Sequence, residues 1–234
     1  MPSPPTLEQL QTMGRERLHP SLSNPNWLVL RKRRELFRNW IASLKLTNPT
    51  VLDVGGRIQP YRSLIADGQS RYVALDLSVG PLVDVVGDGQ QLPFAAETFH
   101  LVVCTQMLEY VPDPANVISE IRRVLKYGGF LLLSVPSVFP RDAEHDRWRF
   151  LPAGIRQLLS EFASTEIAPE GNTITGFFRT INVCLQIFAR YDFLRSLLNY
   201  TIVPILNLAG ACLERLSSSQ NDQFAANYSV LARK

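Results

Sequence analysis

A chain of 234 residues, 46% of them hydrophobic, is long enough to bury one substantial core, and nothing in it asks for two independent domains. Its formal net charge of +3 is too small to imply a nucleic-acid partner, and Cys104, Cys184 and Cys212 form no CxxC pair and stand at no metal-ligand spacing with His19, His100 and His145, so no metal site is expected. Met1 to Pro5 is proline-rich and no basic segment leads into an apolar signal core, so a cytoplasmic location is expected.

Pro2, Pro4, Pro5, Pro20 and Pro25 punctuate the first 25 residues and predict an arm laid over the surface, without a long regular element and without visible chemistry. From Trp27 to Leu44, the apolar residues Leu36, Phe37, Trp40, Ile41 and Leu44 recur at helical spacing and predict an amphipathic helix that packs on the core or lids a pocket. Within it, the run Arg31-Lys32-Arg33-Arg34 reads as a solvated face, or as a contact for phosphates or an anionic membrane surface.

Val51-Leu52-Asp53-Val54 is a short apolar run with one carboxylate, followed at once by Gly55-Gly56. It reads as a buried strand entering a loop that can approach a ligand closely, although a tight turn with no ligand gives the same pattern. Pro60 suits the first turn of a following helix whose N-terminus would face the same crevice. Tyr72-Val73-Ala74-Leu75 is a second strand ending in Asp76, twenty-three residues after Asp53, near the spacing at which a strand-end carboxylate meets a ribose in doubly wound folds.

Val83 to Val86 predicts a third strand, and Asp88 follows it between two glycines, a setting that alone reads as a turn. Phe99 to Thr105 predicts a fourth strand that delivers Cys104, Thr105 and Gln106 to the same sheet edge. Asp113 and Pro114 start a helix with the buried stripe Val117, Ile118, Ile121, Val124 and Leu125, expected to stop at Gly128-Gly129. Phe130 to Val135 is then a fully apolar fifth strand, and such strand-helix-strand units demand a parallel sheet.

Arg141, Asp142, Glu144, His145, Asp146, Arg147, Trp148 and Arg149 make a dense polar cluster beyond that strand, where open α/β sheets hold ligands. His145 with Asp146 can supply a general base, or the arginines can hold an acidic substrate; a loop salt-bridged to itself is the alternative. Leu151 to Phe162 predicts a helix, Thr165 to Ala168 a sixth strand, and Phe224 to Ala232 a last strand returning antiparallel. Between them, residues 176 to 216 are mostly apolar, and Ser196 to Leu213 carries no charge. Asn199, Pro204, Asn207 and Gly210 interrupt that run, and a single span would carry the last strand away from its sheet. A helical hairpin that covers the pocket or lies in a membrane interface is therefore expected.

Taken together, Val51 to Gly56, Asp76, the segment Gly87 to Phe94, Leu108-Glu109-Tyr110-Val111-Pro112-Asp113-Pro114 and the turn Leu125 to Gly129 resemble the class I S-adenosylmethionine-dependent methyltransferases of the type 11 kind, over about residues 51 to 162 plus the terminal strand. The resemblance implies a three-layer, doubly wound, mostly parallel α/β sheet; an N-terminal helix and, before the last strand, a helical insert that is not standard for the family are expected around it. It is expected as one domain: residues 1–48 arm and helix, 49–170 core, 171–222 insert, 223–234 last strand. The resemblance also implies S-adenosylmethionine as cofactor, with Gly55 and Gly56 beside the methionine end, Asp76 on the ribose hydroxyls, Asp88 on the adenine, Asp53, Leu77 and Gly89 among the cofactor-binding residues, and Thr105 and Gln106 lining the pocket. The family loop reads acidic-x-Gly-x-Gly-x-Gly, and here Arg57 and Gln59 stand where the second and third glycines would be; Tyr110 takes a place often held by His.

The expected function is methyl transfer to a hydroxyl or amine of a small-molecule, lipid or glycan acceptor, with His145 and Asp146 as catalytic candidates and peripheral membrane contact through residues 176 to 216. Two rivals are carried. A dinucleotide or nucleotide-sugar enzyme lacks its GxGxxG after the first strand, and a catalytically inactive methyltransferase-like scaffold is motivated by the altered glycine loop and the apolar insert.

Overall fold

The computed structural model describes residues 5–65, 69–141, 143–189, 191–217 and 221–234; Pro2, Pro4 and Asp142 lie outside them. In chain order the elements are α1 (Leu7–Leu18), α2 (Trp27–Leu44), β1 (Thr50–Val54), α3 (Arg62–Ile65), β2 (Arg71–Asp76), β3 (Val85–Val86), β4 (Phe99–Thr105) and α4 (Pro114–Val124). They continue as β5 (Leu125–Pro136), α5 (Pro152–Leu158), β6 (Ser164–Pro169), α6 (Thr173–Phe188), α7 (Asp192–Tyr200), α8 (Ile202–Leu216) and β7 (Asn227–Arg233).

The strands form one seven-stranded sheet of order β3-β2-β1-β4-β5-β7-β6. β1 pairs in parallel with β2 and β4, and β4 with β5, whereas β7 runs antiparallel between β5 and β6. Two-residue alternation sends Val102 and Cys104 of β4 into one apolar layer and Leu101 and Val103 into the other. The first layer packs under α4 and α5, and the second under Phe37 and Trp40 of α2. Each large side chain so buried contributes about 1.5–3 kcal/mol.

Three expectations are corrected. The first 25 residues hold a twelve-residue helix, α1, capped reciprocally: Gln9 N donates to Thr6 Oγ1 and Thr6 N to Gln9 Oε1. The prolines bracket it rather than forbid it, and Leu10, Gly14 and Leu18, spaced four apart, are its buried face. The basic run is not one solvated face, because Arg33 is buried against Glu170 while Arg31 and Lys32 reach Glu214. Helix α4 ends at Val124, where Leu125 already pairs with Phe99, so Gly128-Gly129 lies within an irregular part of β5 rather than stopping the helix. The helix α3 follows Pro60, and its described residues are Arg62–Ile65.

The insert is three helices rather than a hairpin. Asp192–Leu216 is long and apolar enough to cross a membrane by length and composition, with mean hydropathy 1.5, yet α8 is bonded into the fold. Its buried Asn207 accepts from Asn182 of α6 at 2.9 Å and donates to the carbonyls of Leu22 and Asn24 at 2.8 and 3.0 Å. Gly210 lets α8 approach closely, since a Cβ there would stand 2.9 Å from Leu28 of α2 and 3.0 Å from Phe178 of α6. Helix α7 buries none of its residues.

Candidate active site

The end of β1 is held against β2 by a shared acceptor: the amides of Gly55 and Gly56 both donate to the Leu75 carbonyl, at 2.8 and 3.0 Å. Gly55 has φ +78, and a Cβ there would crowd Met107 at 3.1 Å; one on Gly56 would stand 2.8 Å from Asp53. Both positions therefore need glycine. Gln59, in the place of the third expected glycine, still adopts φ 44. Its side chain bonds the Leu82 carbonyl and accepts from Arg62, which offsets the roughly 1 kcal/mol cost of a left-handed conformation. The loop keeps its turn without its glycine.

Asp53, beneath the loop, is closed off from solvent. It is buried, and Tyr72 Oη donates to its Oδ2 at 2.6 Å. Burial pushes its pKa up to about 7 against that hydrogen bond, with the Asp76 charge adding to the rise. Asp53 thus braces the loop from behind. Asp76, half-buried at the end of β2, accepts from Ser78 N through Oδ1 at 2.9 Å, which leaves Oδ2 open, and the neighbouring Leu77 is 71% exposed. Asp88 accepts from Gln90 N at 2.9 Å, and Gly89 is buried where a Cβ would meet both Met107 and Val54 at 3.2 Å. Thr105 ends β4, and Gln106, at φ 52, donates N to the Ser134 carbonyl at 2.8 Å and Nε2 to its hydroxyl at 3.2 Å.

Gly55, Asp76, Asp88, Gly89, Thr105 and Gln106 thus share the carboxyl edge of the parallel strands, where doubly wound sheets bind ligands. The crevice fits an S-adenosylmethionine-type group on three counts: glycines where a Cβ would close the floor, an open strand-end carboxylate oxygen suited to a diol, and a second carboxylate suited to an amino group.

Gln106 also lines a chamber of about 380 Å³ that runs from this edge under α1, α2 and α6. Its wall contains Glu109, only 3% exposed, whose Oε2 has no hydrogen-bond partner. Burial lifts Glu109 to a pKa of about 7, against its own backbone amide and the charge of Arg33. The polar loop is strapped over it: Arg147 N and Trp148 N donate to the Glu109 carbonyl at 2.8 and 3.3 Å, and Trp148 Nε1 to the Val111 carbonyl at 2.9 Å.

Arg17 of α1 also lines the chamber. It is open to solvent by area but crowded by its neighbours, and that crowding and the Arg33 charge lower its pKa. Arg179 of α6 stacks on Phe139, with its guanidinium carbon 3.6 Å from the ring centroid, and Nε donates to Asn26 at 2.9 Å.

The expected His145–Asp146 dyad is corrected. Both oxygens of Asp146 accept from the Arg149 guanidinium, at 2.5 and 2.7 Å, because a planar fork fits a carboxylate better than an imidazole does. His145 is exposed and meets the Tyr110 ring at 5.3 Å between centroids, on the rim of the chamber. The residues that sequence reasoning missed are Glu109 and Arg17. Glu109 had one signal, a lone carboxylate between apolar Leu108 and Val111, whereas Arg17 had only the Thr6-to-Gln9 cap that announces its helix.

Residues 52–133 match the methyltransferase domain family model. The chain is similar to the 2-methyl-6-phytyl-1,4-hydroquinone methyltransferase of Spinacia oleracea, 29% identical over 50% of this chain and 42% of that protein. It is also similar to the ubiquinone biosynthesis O-methyltransferase of Nitrosomonas europaea, 31% identical over 53% of this chain and 61% of that protein. The chain thus spans about two-fifths to three-fifths of these relatives' lengths. A crystal structure of a SAM-dependent methyltransferase from Archaeoglobus fulgidus shares the fold, with TM-score 0.54, 15% identity, and coverage of 95% of this chain and 99% of that one. With that domain match lying on a sheet of this order, and glycine loop and strand-end carboxylates at its carboxyl edge, residues 52–133 are a methyltransferase domain of the S-adenosylmethionine-dependent kind.

Proposed function

We propose that this chain transfers a methyl group to a ring hydroxyl or ring carbon of a small quinol-type acceptor held in the chamber. The observation that carries the reading is the position of Gln106, which lies at the donor crevice and also lines the chamber; the names of the two curated relatives supply the acceptor class. S-adenosylmethionine, when bound, supplies an electrophilic methyl group. The residues that would hold it are Gly55 and Gly56 at the methionine end, Asp76 at the ribose and Asp88 at the adenine. The chain's own part is to align donor and acceptor and to exclude water, which α1 and the loop over Glu109 do by roofing the chamber.

The inactive-scaffold alternative loses its main motive because Gln59 keeps the turn that the missing glycine would make. For the apolar insert we propose peripheral contact with a membrane on the cytoplasmic side, supported by the exposed Phe193, Leu197, Tyr200, Ile205 and Leu208. Incubation with methyl-labelled S-adenosylmethionine and 2-methylhydroquinone, followed by chromatography of the extract, tests the transfer. Liposome flotation tests the contact, and protein that stays at the bottom of the gradient would remove it.

A further inference from the structure

Resting on the donor-and-chamber reading above, we infer that Glu109 takes the proton of an acceptor hydroxyl, with Arg17 facing the oxygen left behind. Among the described residues, Glu109 carries the only buried carboxylate oxygen without a hydrogen-bond partner, and it lies in the wall of a cavity large enough for a small ligand. Leaving such an oxygen dry and unbonded is costly, and a hydroxyl donor from a ligand relieves the cost. The other carboxylates nearby are committed or outside: Asp146 is held by Arg149, Glu170 by Arg33, and Glu16 is exposed on α1.

The charged and titratable groups around Glu109 and its chamber come from every packed element: Glu16 and Arg17 from α1, Arg33 from α2, Cys104 from β4, Tyr110 beside it, Asp146 and Arg149 from the covering loop, and Arg179 from α6. Arg33 and Arg149 have their ion pairs, whereas Arg17 has none among the described residues. A cation without a counter-ion beside a carboxylate without a donor is the complement of a hydroxyl that turns anionic as it reacts.

As the acceptor oxygen bonds to the methyl carbon, its O–H bond breaks and the proton passes to Glu109 Oε2. The electron pair of the broken S–CH₃ bond stays on the departing thioether. Glu109 then returns the proton to water through the chamber. A pKa near 7, raised by burial, suits a group that accepts and releases a proton at neutrality. His145, outside Tyr110, has no part in the step.

Infrared difference titration of the whole protein between about pH 5 and about pH 9, for wild type, Glu109→Gln and Glu109→Asp, tests this without an acceptor. Two protonated-carboxyl components titrating near neutrality are expected in wild type, from Glu109 and from Asp53, and the Glu109 component alone is lost in Glu109→Gln. With 2-methylhydroquinone as probe, Glu109→Gln should lower single-turnover transfer by roughly 10²–10⁴-fold and flatten its pH profile, while Glu109→Asp keeps part of the rate. Calorimetric affinity for S-adenosylhomocysteine should be the same in all three proteins. Near-neutral band intensity that is unchanged in Glu109→Gln, or a lost component that titrates in the ordinary carboxylate range, overturns the inference even where the probe is not turned over. Wild type that titrates as expected but binds no S-adenosylhomocysteine would instead overturn the donor reading on which it rests.

Discussion

Arg33 donates to both oxygens of Glu170, through Nε at 2.7 Å and through Nη2 at 2.8 Å, and the two side chains are 2% and 0% exposed. The pair pins α2 to the segment leaving β6, and Ser134, Ser229 and Asn227 donate to the same carboxylate. Removing one partner leaves a buried charge without its mate, so Glu170→Gln and Arg33→Met should each cost about 3–5 kcal/mol in urea unfolding, and Arg33→Met with Glu170→Leu less than the sum. Burial alone would raise the Glu170 pKa, but Arg33 and the serine hydroxyls outweigh it and hold it below the ordinary value. Its contribution is therefore present above the ordinary carboxylate pKa and lost as pH falls through the lowered one. Glu170→Gln should flatten the acid limb of the stability curve.

Asp53 and Glu109 work in the opposite direction, both being raised to about 7 by burial. A raised carboxyl favours the fold while protonated, so their share of stability is full below the unfolded pKa values and is lost as pH rises through about 7. At about pH 8, Asp53→Asn and Glu109→Gln should each raise stability by on the order of 1–3 kcal/mol, and at about pH 4 the gain should vanish. Thermal melts across that range check the sign; a gain at acid pH and none at alkaline pH would contradict it.

The close approaches make a third prediction. A Cβ on Gly14 would stand 2.4 Å from the Ile58 carbonyl, and one on Gly56 would stand 2.8 Å from Asp53. Backbone on one side and a buried, bonded carboxylate on the other cannot easily yield. Gly14→Ala should lift α1 off the loop and Gly56→Ala should distort the loop itself, each at a cost of about 1–3 kcal/mol. S-adenosylhomocysteine affinity should fall in Gly56→Ala at a temperature where the protein remains folded.

The chain's periodicities made much of this fold legible. Trp27–Leu44 and Phe99–Thr105 were read at the bounds they have, because a long 3.6-residue stripe and a seven-residue apolar run have few competing structures. The grouping of the candidate donor residues was legible for a related reason: Asp76 ends a strand, Gly55, Asp88 and Gln106 each follow one, and parallel strands bring their ends to one edge. The acceptor side was not. Arg33 looks like one cation in a basic run until Glu170, 137 residues away, arrives beside it. Glu109 differs from a surface glutamate only through its burial under a loop and two helices, which no local pattern encodes. Asp146 sits next to His145 in sequence, but the guanidinium three residues on offers the better geometry.

The central claim is that the carboxyl edge of this sheet is a donor site built around Asp76. Calorimetric titration of S-adenosylhomocysteine into wild type and Asp76→Ala tests it most directly. One saturable site is expected in wild type, weakened in Asp76→Ala by about 1.5–3 kcal/mol, roughly 10- to 150-fold in affinity, with an unchanged melting temperature in the absence of ligand. Wild-type protein that gives neither heat nor a thermal shift, or an Asp76→Ala variant that binds as tightly as wild type, would contradict it.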